Sequence, residues 1–465
     1  MFRRLCQQTA LLVPRVRGRL VHRGASSPTS MAAEMAERSS PKTKYEALAL
    51  QVTPEWSLTD ESLYVALSGF ERGEPVTLHS SVTENKMTFA AVGHYVTDDS
   101  GNVDTTRDAS IGGNYVGVEP MGLIWGMEQA PGQRSGLRLL KKEITDTFKV
   151  SLNVHRGHLG LEELCSEAAC NPLLTSPFQR SYLAEGVQRI PVTYGKVRGT
   201  LFLPEGPGPF PGVIDMFGSV GGIVEMRSAL LASRGIAALA LPYFKYQDLP
   251  KDHKELHIEY FEEATKFLRV HPQVSSNKGI GVMGTSKGCD IALAMAEFIP
   301  DVRAVVAING VCYSIDSNLK HKGKTVKRAE SGDRGKLIFL EGGTIACMEN
   351  AIPWEIEEEN MLHIEKSDAA FLFITSLDDQ CVHPKASSVG PNRLRKHGKT
   401  NVEHLQLPGA GHLVEPPYNP HFLNTFHRFN FGGVLLRWGG ERRAHARAQV
   451  KAWRKVLEFF REKLM

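Results

Sequence analysis

One pentapeptide, Gly284-Thr-Ser-Lys-Gly, constrains the fold of this chain more than any other stretch. An apolar run over residues 279–283 precedes it, and a helix-like segment over 291–298 follows it. A Gly-x-Ser-x-Gly between a buried strand and a helix forms a turn so tight that side chains beside the serine would collide. The turn lifts the serine hydroxyl off the sheet edge, and the helix that begins behind it favours developing negative charge. Ser286 is therefore the candidate nucleophile.

Residues 191–465 alternate short apolar runs with helix-like segments. Near-continuous apolar strands that alternate with helices are typical of a parallel, doubly wound sheet. Because the serine turn joins one such strand to its helix, the pattern predicts an α/β-hydrolase domain over 191–465. The runs that we predict as strands are 197–204, 212–217, 236–241, 279–283, 304–308, 371–375 and 402–407.

An amphipathic helix is predicted over 442–464, at the end of this domain. Its apolar side consists of Val450, Trp453, Val456, Leu457 and Phe460. We interpret the arginines of the same stretch as a solvent-exposed face rather than a binding site.

The two partners that a nucleophilic serine needs follow later strands. Asp378 and Asp379 come after the strand at 371–375. His412 lies in a glycine-rich loop after the strand at 402–407. In an α/β-hydrolase the acid and then the histidine follow the serine in this order; the histidine takes the serine proton and the carboxylate orients the imidazole. From these residues alone, either aspartate is a candidate for the carboxylate.

Backbone amides are the predicted donors to the oxyanion that forms when a serine attacks a carbonyl group. One donor is the amide of Lys287, the residue after the serine. The other comes from the glycine-rich loop after the strand at 212–217, with Phe217 and Gly218 as the candidates. The sequence thus predicts an acyl-transfer site with Ser286 at its centre.

Residues 45–165 have the pattern of an all-β domain. Short runs of alternating apolar and polar side chains, separated by turn residues, are typical of a β-sandwich, which we predict to be immunoglobulin-like. Residues 166–190 are predicted as a connector, and the stretch 117–126 as a buried linker that packs on the neighbouring domain. The four histidines of this part, which we interpret as surface or structural residues without metal-ligand spacing, are His79, His94, His155 and His158.

The first 44 residues differ in composition from the rest of the chain. They are rich in arginine, serine and leucine and contain no acidic residue before Glu34. Interleaved basic and apolar residues are typical of a mitochondrial transit peptide. We therefore predict a protein of the mitochondrial matrix, with a cytosolic form if translation starts at Met31; the alternative is a merely disordered arm.

Composition excludes several classes of function. The formal net charge of +4 depends on six arginines within the first 23 residues; without them it is −2, so the body of the chain is not a basic nucleic-acid-binding protein. No run of about 18 apolar residues predicts a membrane span. The seven cysteines are scattered, which indicates reduced thiols in an intracellular compartment. No metal or organic cofactor is implied. The sandwich is a candidate surface for a homo-oligomer, although nothing in the sequence establishes one.

Seven stretches between about residue 48 and the C-terminus form a recognisable set: 197–204, 209–218, 248–251, 259–264, 284–288, 408–418 and 438–445. In them the chain resembles the type I acyl-CoA thioesterases and their relatives, the bile acid-CoA:amino acid N-acyltransferases. The resemblance implies a β-sandwich followed by an α/β-hydrolase domain, with a Ser/Cys–His–Asp triad that acts on acyl-CoA thioesters. It assigns the nucleophile to Ser286, the base to His412 and the acid to Asp379, with Asp378 as its neighbour.

The residue at the centre of the Gly-x-Ser-x-Gly turn, which we call the elbow, distinguishes the two branches of this family. The amino-acid transferases typically have cysteine there, whereas this chain has Ser286, which favours water as the acceptor. The loop after the acid, with Cys381 and His383, departs from the form expected for the family, and the roles of these two residues stay open.

Residues 312–360 match the family poorly, and we expect this region to form a cap over the acyl chain. Its lysines are candidates for contacts with the phosphates of coenzyme A, although a solvated loop is the favoured interpretation. They are Lys320, Lys322, Lys324 and Lys327.

The sequence leads to one main hypothesis and two alternatives. The main hypothesis is an acyl-CoA thioesterase that hydrolyses fatty acyl-CoA through an acyl-enzyme on Ser286 and water activated by His412. The first alternative is acyl transfer to glycine or taurine, in which added amine diverts the product from acid to amide. The second is a non-catalytic acyl-CoA-binding protein, in which binding is saturable and no thiol is released.

Overall fold

The structure, a computed structural model, describes residues 48–166, 171–329, 338–340, 343–346, 352–427 and 434–465. Its first part is all-β, because apolar and polar side chains alternate along short runs. The strands of this part are β1 (Ala49–Thr53), β2 (Trp56–Leu58), β3 (Tyr64–Ser68), β4 (Pro75–Glu84), β5 (Met87–Val96), β6 (Val103–Asp104), β7 (Gly112–Gly113), β8 (Glu128–Gln129), β9 (Phe148–Arg156) and β10 (Leu174–Ser181). Two short helices, α1 (Gly122–Trp125) and α2 (Leu161–Leu164), lie between them.

These strands form two sheets around a shared core. One has the order β1-β3-β6, and the other has the order β2-β10-β9-β4-β5-β7, with β8 beside β5. Val65, Leu78 and Leu152 are buried in this core. β10 lies inside the predicted connector but pairs with β9 and β2, because its inward side chains complete the sheet despite weak alternation in the sequence. The immunoglobulin-like arrangement stays a prediction.

The second part alternates strands and helices. Its strands are β11 (Gln188–Tyr194), β12 (Val197–Leu203), β13 (Phe210–Met216), β14 (Ala237–Ala240), β15 (Glu255–His257), β16 (Val274–Ser275), β17 (Ile280–Thr285), β18 (Val302–Ile308), β19 (Asn318–His321), β20 (Lys324–Val326), β21 (Ile338–Leu340), β22 (Thr344–Ala346), β23 (Ala370–Ser376), β24 (Val402–Leu407), β25 (Asn424–His427) and β26 (Val434–Arg437). Its helices are α3 (Met226–Ser233), α4 (Ile258–Val270), α5 (Lys287–Phe298), α6 (Pro384–Ser387), α7 (Val389–Lys396) and α8 (Arg442–Leu464).

A mostly parallel sheet organises this second part and confirms the predicted α/β architecture. Its order is β11-β12-β14-β13-β17-β18-β23-β24, with β16 beside β13. β11 and β12 are antiparallel to their neighbours, and the pairs from β14 to β24 are parallel. The inner strands are mostly apolar because helices cover both faces: α4 and α5 pack on one, and α3 and α8 on the other.

Two small sheets lie beside the main one. β15, β19 and β20 form the first, and β21-β22-β26-β25 forms the second. Both draw strands from the region predicted as a cap, so that region is partly β-structured where it is described.

The last helix keeps the predicted exposed face of arginines, and two of them also form ion pairs. α8 has the predicted bounds and buries Trp453, although Val450, which we placed on the apolar side, is 39% exposed. Arg443 and Arg447 are not simply solvated, because both bind the carboxylate of Glu119 in the sandwich, at 2.6 and 2.7 Å. These contacts also confirm that the stretch 117–126 packs on the neighbouring domain, and residues 47–465 form one compact unit.

None of the helices in the described part of the chain is long and apolar enough to cross a membrane. The predicted transit peptide, residues 1–44, and the alternative start at Met31 lie outside the described residues.

Asp60 is the clearest polar contact between the sandwich and the helices of the second part. Its buried carboxylate accepts hydrogen bonds from the Arg234 guanidinium (Nε, 2.9 Å) and from the Trp453 indole (2.8 Å). Asp60→Asn should therefore lower the free energy of unfolding by about 1.5–3 kcal/mol, because the amide carries no charge to pair with Arg234 and its NH₂ group replaces an oxygen that accepts hydrogen bonds at this buried position. Asp99→Asn is the matched control, since Asp99 pairs with Arg72 only at the exposed surface. Urea unfolding measures both, and equal stability of the two variants would contradict the assignment.

Candidate active site

The serine turn lies between β17 and α5, as the sequence predicts. Ser286 adopts φ 56° and ψ −121°, a left-handed backbone conformation that side-chain-bearing residues rarely take. A Cβ atom on Gly284 would lie 1.9 Å from the carbonyl oxygen of Gly288, and one on Gly288 would lie 2.6 Å from that of Met216. Both positions therefore require glycine. The tight turn presents the partly exposed Ser286 side chain to a cavity.

His412 and Asp379 form a buried pair beside this turn. The imidazole Nδ1 of His412 lies 2.7 Å from Oδ2 of Asp379, and both side chains are 1% exposed. The other carboxylate oxygen of Asp379 accepts hydrogen bonds from the amides of Cys381 and Val382, each at 2.8 Å. Because both oxygens are bonded, the carboxylate is fixed and presents one acceptor to the histidine.

The structure separates the two adjacent aspartates. The Asp378 carboxylate accepts a hydrogen bond from the amide of Gly440 at 2.9 Å, whereas only Asp379 of this pair contacts His412. Cys381 contributes its backbone to the acid loop, and its side chain lines the cavity. His383 begins α6, where its ring accepts a hydrogen bond from the amide of Lys385.

The segment between β26 and α8 joins the acid loop to the histidine loop. The carbonyl oxygen of Trp438 accepts hydrogen bonds from the amides of His412 (2.8 Å) and Gln380 (3.3 Å). A Cβ atom on Gly439, at φ +74°, would lie 1.9 Å from the carbonyl oxygen of Asp378, so this close approach requires glycine. In the sequence this double-glycine stretch stands out only through the family resemblance. Two adjacent glycines before a helix are the signal that could have indicated a close backbone contact here.

His445 in α8 holds the histidine loop on both sides of His412. The amide of Gly411 donates to Nδ1 of His445 at 3.0 Å, and Nε2 lies 3.1 Å from the carbonyl oxygen of Leu413. A ring nitrogen that accepts a hydrogen bond carries no proton, so His445 is the neutral tautomer protonated at Nε2. Burial lowers the pKa of His445 well below its ordinary value, which keeps it neutral.

His421 stacks on His445, with ring centroids 4.1 Å apart. Burial lowers the pKa of His421 to about 4. Trp438 stacks on the other histidine of this region, His412, at 5.5 Å and an interplanar angle of 11°. The imidazole of His412 is thus fixed by stacking as well as by hydrogen bonds.

The loop after β13 places Gly218 beside the serine. A Cβ atom on Gly218 would lie 3.1 Å from Cβ of Ser286. The Tyr243 hydroxyl lies 3.0 Å from the carbonyl oxygen of Phe217 and 3.1 Å from that of Gly218. In a trans peptide the N–H points opposite to the preceding C=O, so the amide of Gly218 points away from Tyr243. Tyr243 therefore fixes the orientation of a predicted oxyanion donor, and sequence reasoning missed it.

Two buried ion pairs lie next to Ser286 and hold its neighbours Thr285 and Lys287 in place. The Arg227 guanidinium binds the carboxylate of Asp215 (Nη2 to Oδ1, 2.5 Å) and the hydroxyl of Thr285. The Lys287 ammonium binds Asp290 at 2.7 Å, and burial raises the pKa of Asp290 to about 6 against the opposing effect of the lysine. The sequence singled out only the amide of Lys287; its buried side chain was not predicted.

The cavity that Ser286 and His412 line has a volume of about 900 Å³. Its walls include the predicted oxyanion residues Phe217, Gly218 and Lys287. The cap region contributes Ile315, Asp316, Arg328 and Ile352, which agrees with its expected position. The sandwich also contributes to the wall, which the sequence did not suggest; its lining residues are Glu84, Asn85, Met87, Gly136, Leu137, Arg138, Leu140 and Lys142.

The four lysines of the cap region do not line this cavity. Lys320 pairs with Glu255 at 2.6 Å, and Lys322 pairs with Glu262 at 2.8 Å. Lys324 and Lys327 are exposed. The solvated-loop interpretation is therefore the better one. Among the described residues, no group of three or more His, Cys, Asp or Glu side chains is arranged to hold a metal ion.

Comparison with known proteins identifies the family of the chain. Residues 60–194 match the family model described as Acyl-CoA thioester hydrolase/BAAT N-terminal region. Residues 256–465 match the model described as BAAT / Acyl-CoA thioester hydrolase C terminal. The chain belongs to this family. The resemblance seen in the sequence is thereby confirmed, and it covers both parts of the fold.

Relatives within this thioester hydrolase/BAAT family are named for different activities. Acyl-coenzyme A thioesterase 2, mitochondrial, of Mus musculus is 39% identical over 89% of this chain and 89% of its own length. Peroxisomal succinyl-coenzyme A thioesterase of Mus musculus is 38% identical over 89% and 96%. Acyl-coenzyme A amino acid N-acyltransferase 2 of Rattus norvegicus is 38% identical over 90% and 98%. Family membership therefore leaves the final acyl acceptor to be argued from the site.

Replacing His421 by glutamine should reduce the loss of stability in acid. Because the pKa of His421 falls from 6.5 to about 4 on folding, its contribution to stability is present above pH 6.5 and is lost as the pH falls towards 4. His421→Gln should remove this part of the slope, about 1.4 kcal/mol for each pH unit in that range. Urea unfolding across the range measures the slope. His397→Gln, at an exposed histidine, should keep the wild-type slope; identical slopes for all three proteins would refute the prediction.

Proposed function

We propose that this protein hydrolyses acyl-CoA thioesters to coenzyme A and a carboxylic acid, with Ser286 as the nucleophile, His412 as the base and Asp379 as the acid. The observation that supports this most is the buried 2.7 Å contact between His412 and Asp379 beside the strained turn at Ser286. A fixed carboxylate, an oriented imidazole and an exposed hydroxyl are the parts that acyl transfer through a serine requires.

In the first half-reaction the Ser286 oxygen attacks the thioester carbonyl carbon, and His412 Nε2 takes the serine proton. Nε2 is the nitrogen left free for this step, because Nδ1 contacts Asp379. The amides of Lys287 and of Phe217 or Gly218 stabilise the oxyanion. The tetrahedral intermediate collapses by breaking the C–S bond; the thiolate of coenzyme A takes the proton from His412, and the acyl group stays on Ser286.

In the second half-reaction water attacks the acyl-enzyme. His412 takes a proton from the water as its oxygen bonds to the acyl carbon, and the new intermediate expels the serine oxygen, which recovers that proton. The products are a carboxylic acid and the free enzyme. The same geometry permits attack by an amine, and the rat relative is named as an amino acid N-acyltransferase. The serine at position 286 favours water, so hydrolysis is the leading proposal and transfer to glycine or taurine the second.

The two adjacent aspartates allow a matched test of the mechanism. Asp379→Asn should lower kcat by about 10³–10⁴-fold, because an amide there orients the wrong tautomer of His412. Asp378→Asn should change kcat only a few fold, since its amide oxygen can still accept the hydrogen bond from Gly440. Ser286→Ala should release thiol from acyl-CoA only at the background rate. Thiol release from a series of acyl-CoAs, with circular dichroism as the folding check, measures all three variants.

The outcomes separate the competing functions. Full thiol release by Ser286→Ala would overturn the assigned nucleophile, and equal losses for the two aspartate variants would overturn the assignment of the acid. Mass spectrometry of products formed with added glycine or taurine identifies the acceptor, and an amide product would favour transfer. Saturable acyl-CoA binding without thiol release by the wild type would favour a binding protein.

We also propose that the protein is imported into the mitochondrial matrix, because residues 1–44 have the composition of a transit peptide. The relatives include one named as mitochondrial and one named as peroxisomal, so their names do not decide the location. Residues 1–44 fused to a fluorescent protein should enter mitochondria, and a fusion that starts at Met31 should stay in the cytosol. Peroxisomal or cytosolic fluorescence from the longer fusion would contradict the proposal.

A further inference from the structure

The cavity at Ser286 has two walls of different chemistry. The apolar wall includes residues from β25, from β26 and the position after it, and from residues 136–142 of the sandwich, which we call the sandwich loop. They are Leu137, Leu140, Phe426, Leu436 and Trp438. The charged wall consists of Asp252, His253, Lys254, Asp316 and Arg328. A ligand with an apolar end and a charged end fits these two walls when its apolar end lies towards the sandwich loop.

The apolar wall begins at the predicted base and ends in the sandwich. Trp438 stacks on the ring of His412. Trp438 and Leu436 are two residues apart in an extended segment and so share a face, and β26 pairs with β25, which contains Phe426. The amide of Phe426 donates to the carbonyl oxygen of Gly136 at 2.7 Å. Leu137 follows directly, so the sandwich loop closes this wall.

The sandwich loop is attached to the rest of the cavity by polar contacts, one of which neutralises Arg138. Arg138 forms an ion pair with Glu415, three residues after His412, with side chains 15% and 9% exposed. The side-chain amide of Asn85 donates to the carbonyl oxygen of Leu140 at 3.3 Å. Because Arg138 is neutralised by Glu415, the exposed Lys142 is left as the cation of this loop that has no ion pair among the described residues, and Leu137 and Leu140 supply its apolar surface.

The charged wall contains two cations, Lys254 and Arg328, that form no ion pair among the described residues, beside the carboxylates of Asp252 and Asp316. The sandwich loop has one such cation, Lys142. The two cations of the charged wall are held near each other through Asn318, whose amide donates to the carbonyl oxygen of Lys254 and whose side chain accepts from the amide of Arg328. This wall also meets the elbow, since the Lys287 ammonium donates to the carbonyl oxygen of Ile315 at 2.6 Å. Unpaired cations at this wall suit the phosphates of a nucleotide.

We propose that the acyl chain runs from Ser286 along the apolar wall and ends against the sandwich loop, while the phosphates of coenzyme A face the charged wall. The N-terminal sandwich then limits the length of the acyl chain, and Leu137 is a specificity-determining residue. This inference rests on the proposed function only in taking acyl-CoA as the ligand. Each methylene that the wall covers is worth about fourfold in kcat/KM, and a methylene beyond the wall gains nothing.

Changing the size of Leu137 tests the placement. Leu137→Trp should lower the ratio of kcat/KM for long-chain over short-chain acyl-CoA at least tenfold, because the larger ring shortens the wall by about two methylenes. Leu137→Ala should shift the optimum to longer chains, and it keeps the test open if tryptophan is not tolerated. Ile111→Trp, at an exposed residue of the sandwich outside the cavity, is the matched control and should keep the wild-type profile.

Ile315→Trp tests the opposite orientation, because Ile315 lines the cavity beside the charged wall. A shift in chain length with Ile315→Trp and none with the Leu137 variants would overturn the proposal. The same variants are also made in a Ser286→Ala background, and calorimetry measures Kd for each acyl-CoA. These measurements test the placement of the acyl chain separately from the proposed hydrolysis. If the wild type releases no thiol, the proposed function fails; the Kd profile of the Leu137 variants then still supports or overturns the placement of the acyl chain.

Discussion

The carbonyl oxygen of Trp438 is the atom on which the geometry of the candidate site depends. It accepts hydrogen bonds from the amides of His412 and Gln380, and so joins the loop after β24, the loop after β23 and the segment that leads into α8. The contact between His412 and Asp379 is buried, where an imidazole and a carboxylate are strongly coupled only if both are held in place. The backbone around Trp438 supplies that constraint, and Gly439 permits it because no side chain fits there.

The elbow depends on charges that water does not reach. Arg227 ties the elbow residue Thr285 to the strand that leads into the oxyanion loop, and Lys287 ties α5 to the cap through Asp290 and Ile315. Such pairs contribute little net stability compared with apolar packing, but removing one partner typically costs about 3–5 kcal/mol. Their effect is to hold the strained serine and its neighbouring amides in one arrangement.

The sandwich is part of the site as well as a neighbour of it. Its core is continuous with the helices α3 and α8, and Glu119 and Asp60 bind arginines of the second part. The sandwich loop adds Leu137 to the cavity. A ligand that fills this cavity therefore contacts both halves of the chain, which form one compact unit over residues 47–465.

The sequence by itself determined the features that depend on local spacing. The strand, the Gly-x-Ser-x-Gly turn and the helix around Ser286 are contiguous, so periodicity and two glycines were enough to predict them. The order of later strand ends placed an aspartate pair and His412 at the same edge of the sheet. Local spacing left Asp378 and Asp379 as alternatives, and only the family resemblance pointed to Asp379. The tertiary structure separates the two because adjacent residues of a turn point to different partners, Gly440 and His412.

Only the tertiary structure also brought distant segments to the site. Tyr243, His445 and Leu137 have no local signal, because each acts through a contact with a segment far away in the chain. The ion pairs of Arg443 and Arg447 in α8 went unpredicted for the same reason, since their partner Glu119 is more than 300 residues away. Periodicity reports which face of an element is apolar, but the identity of what covers that face, or pairs with a charge on it, is set by packing.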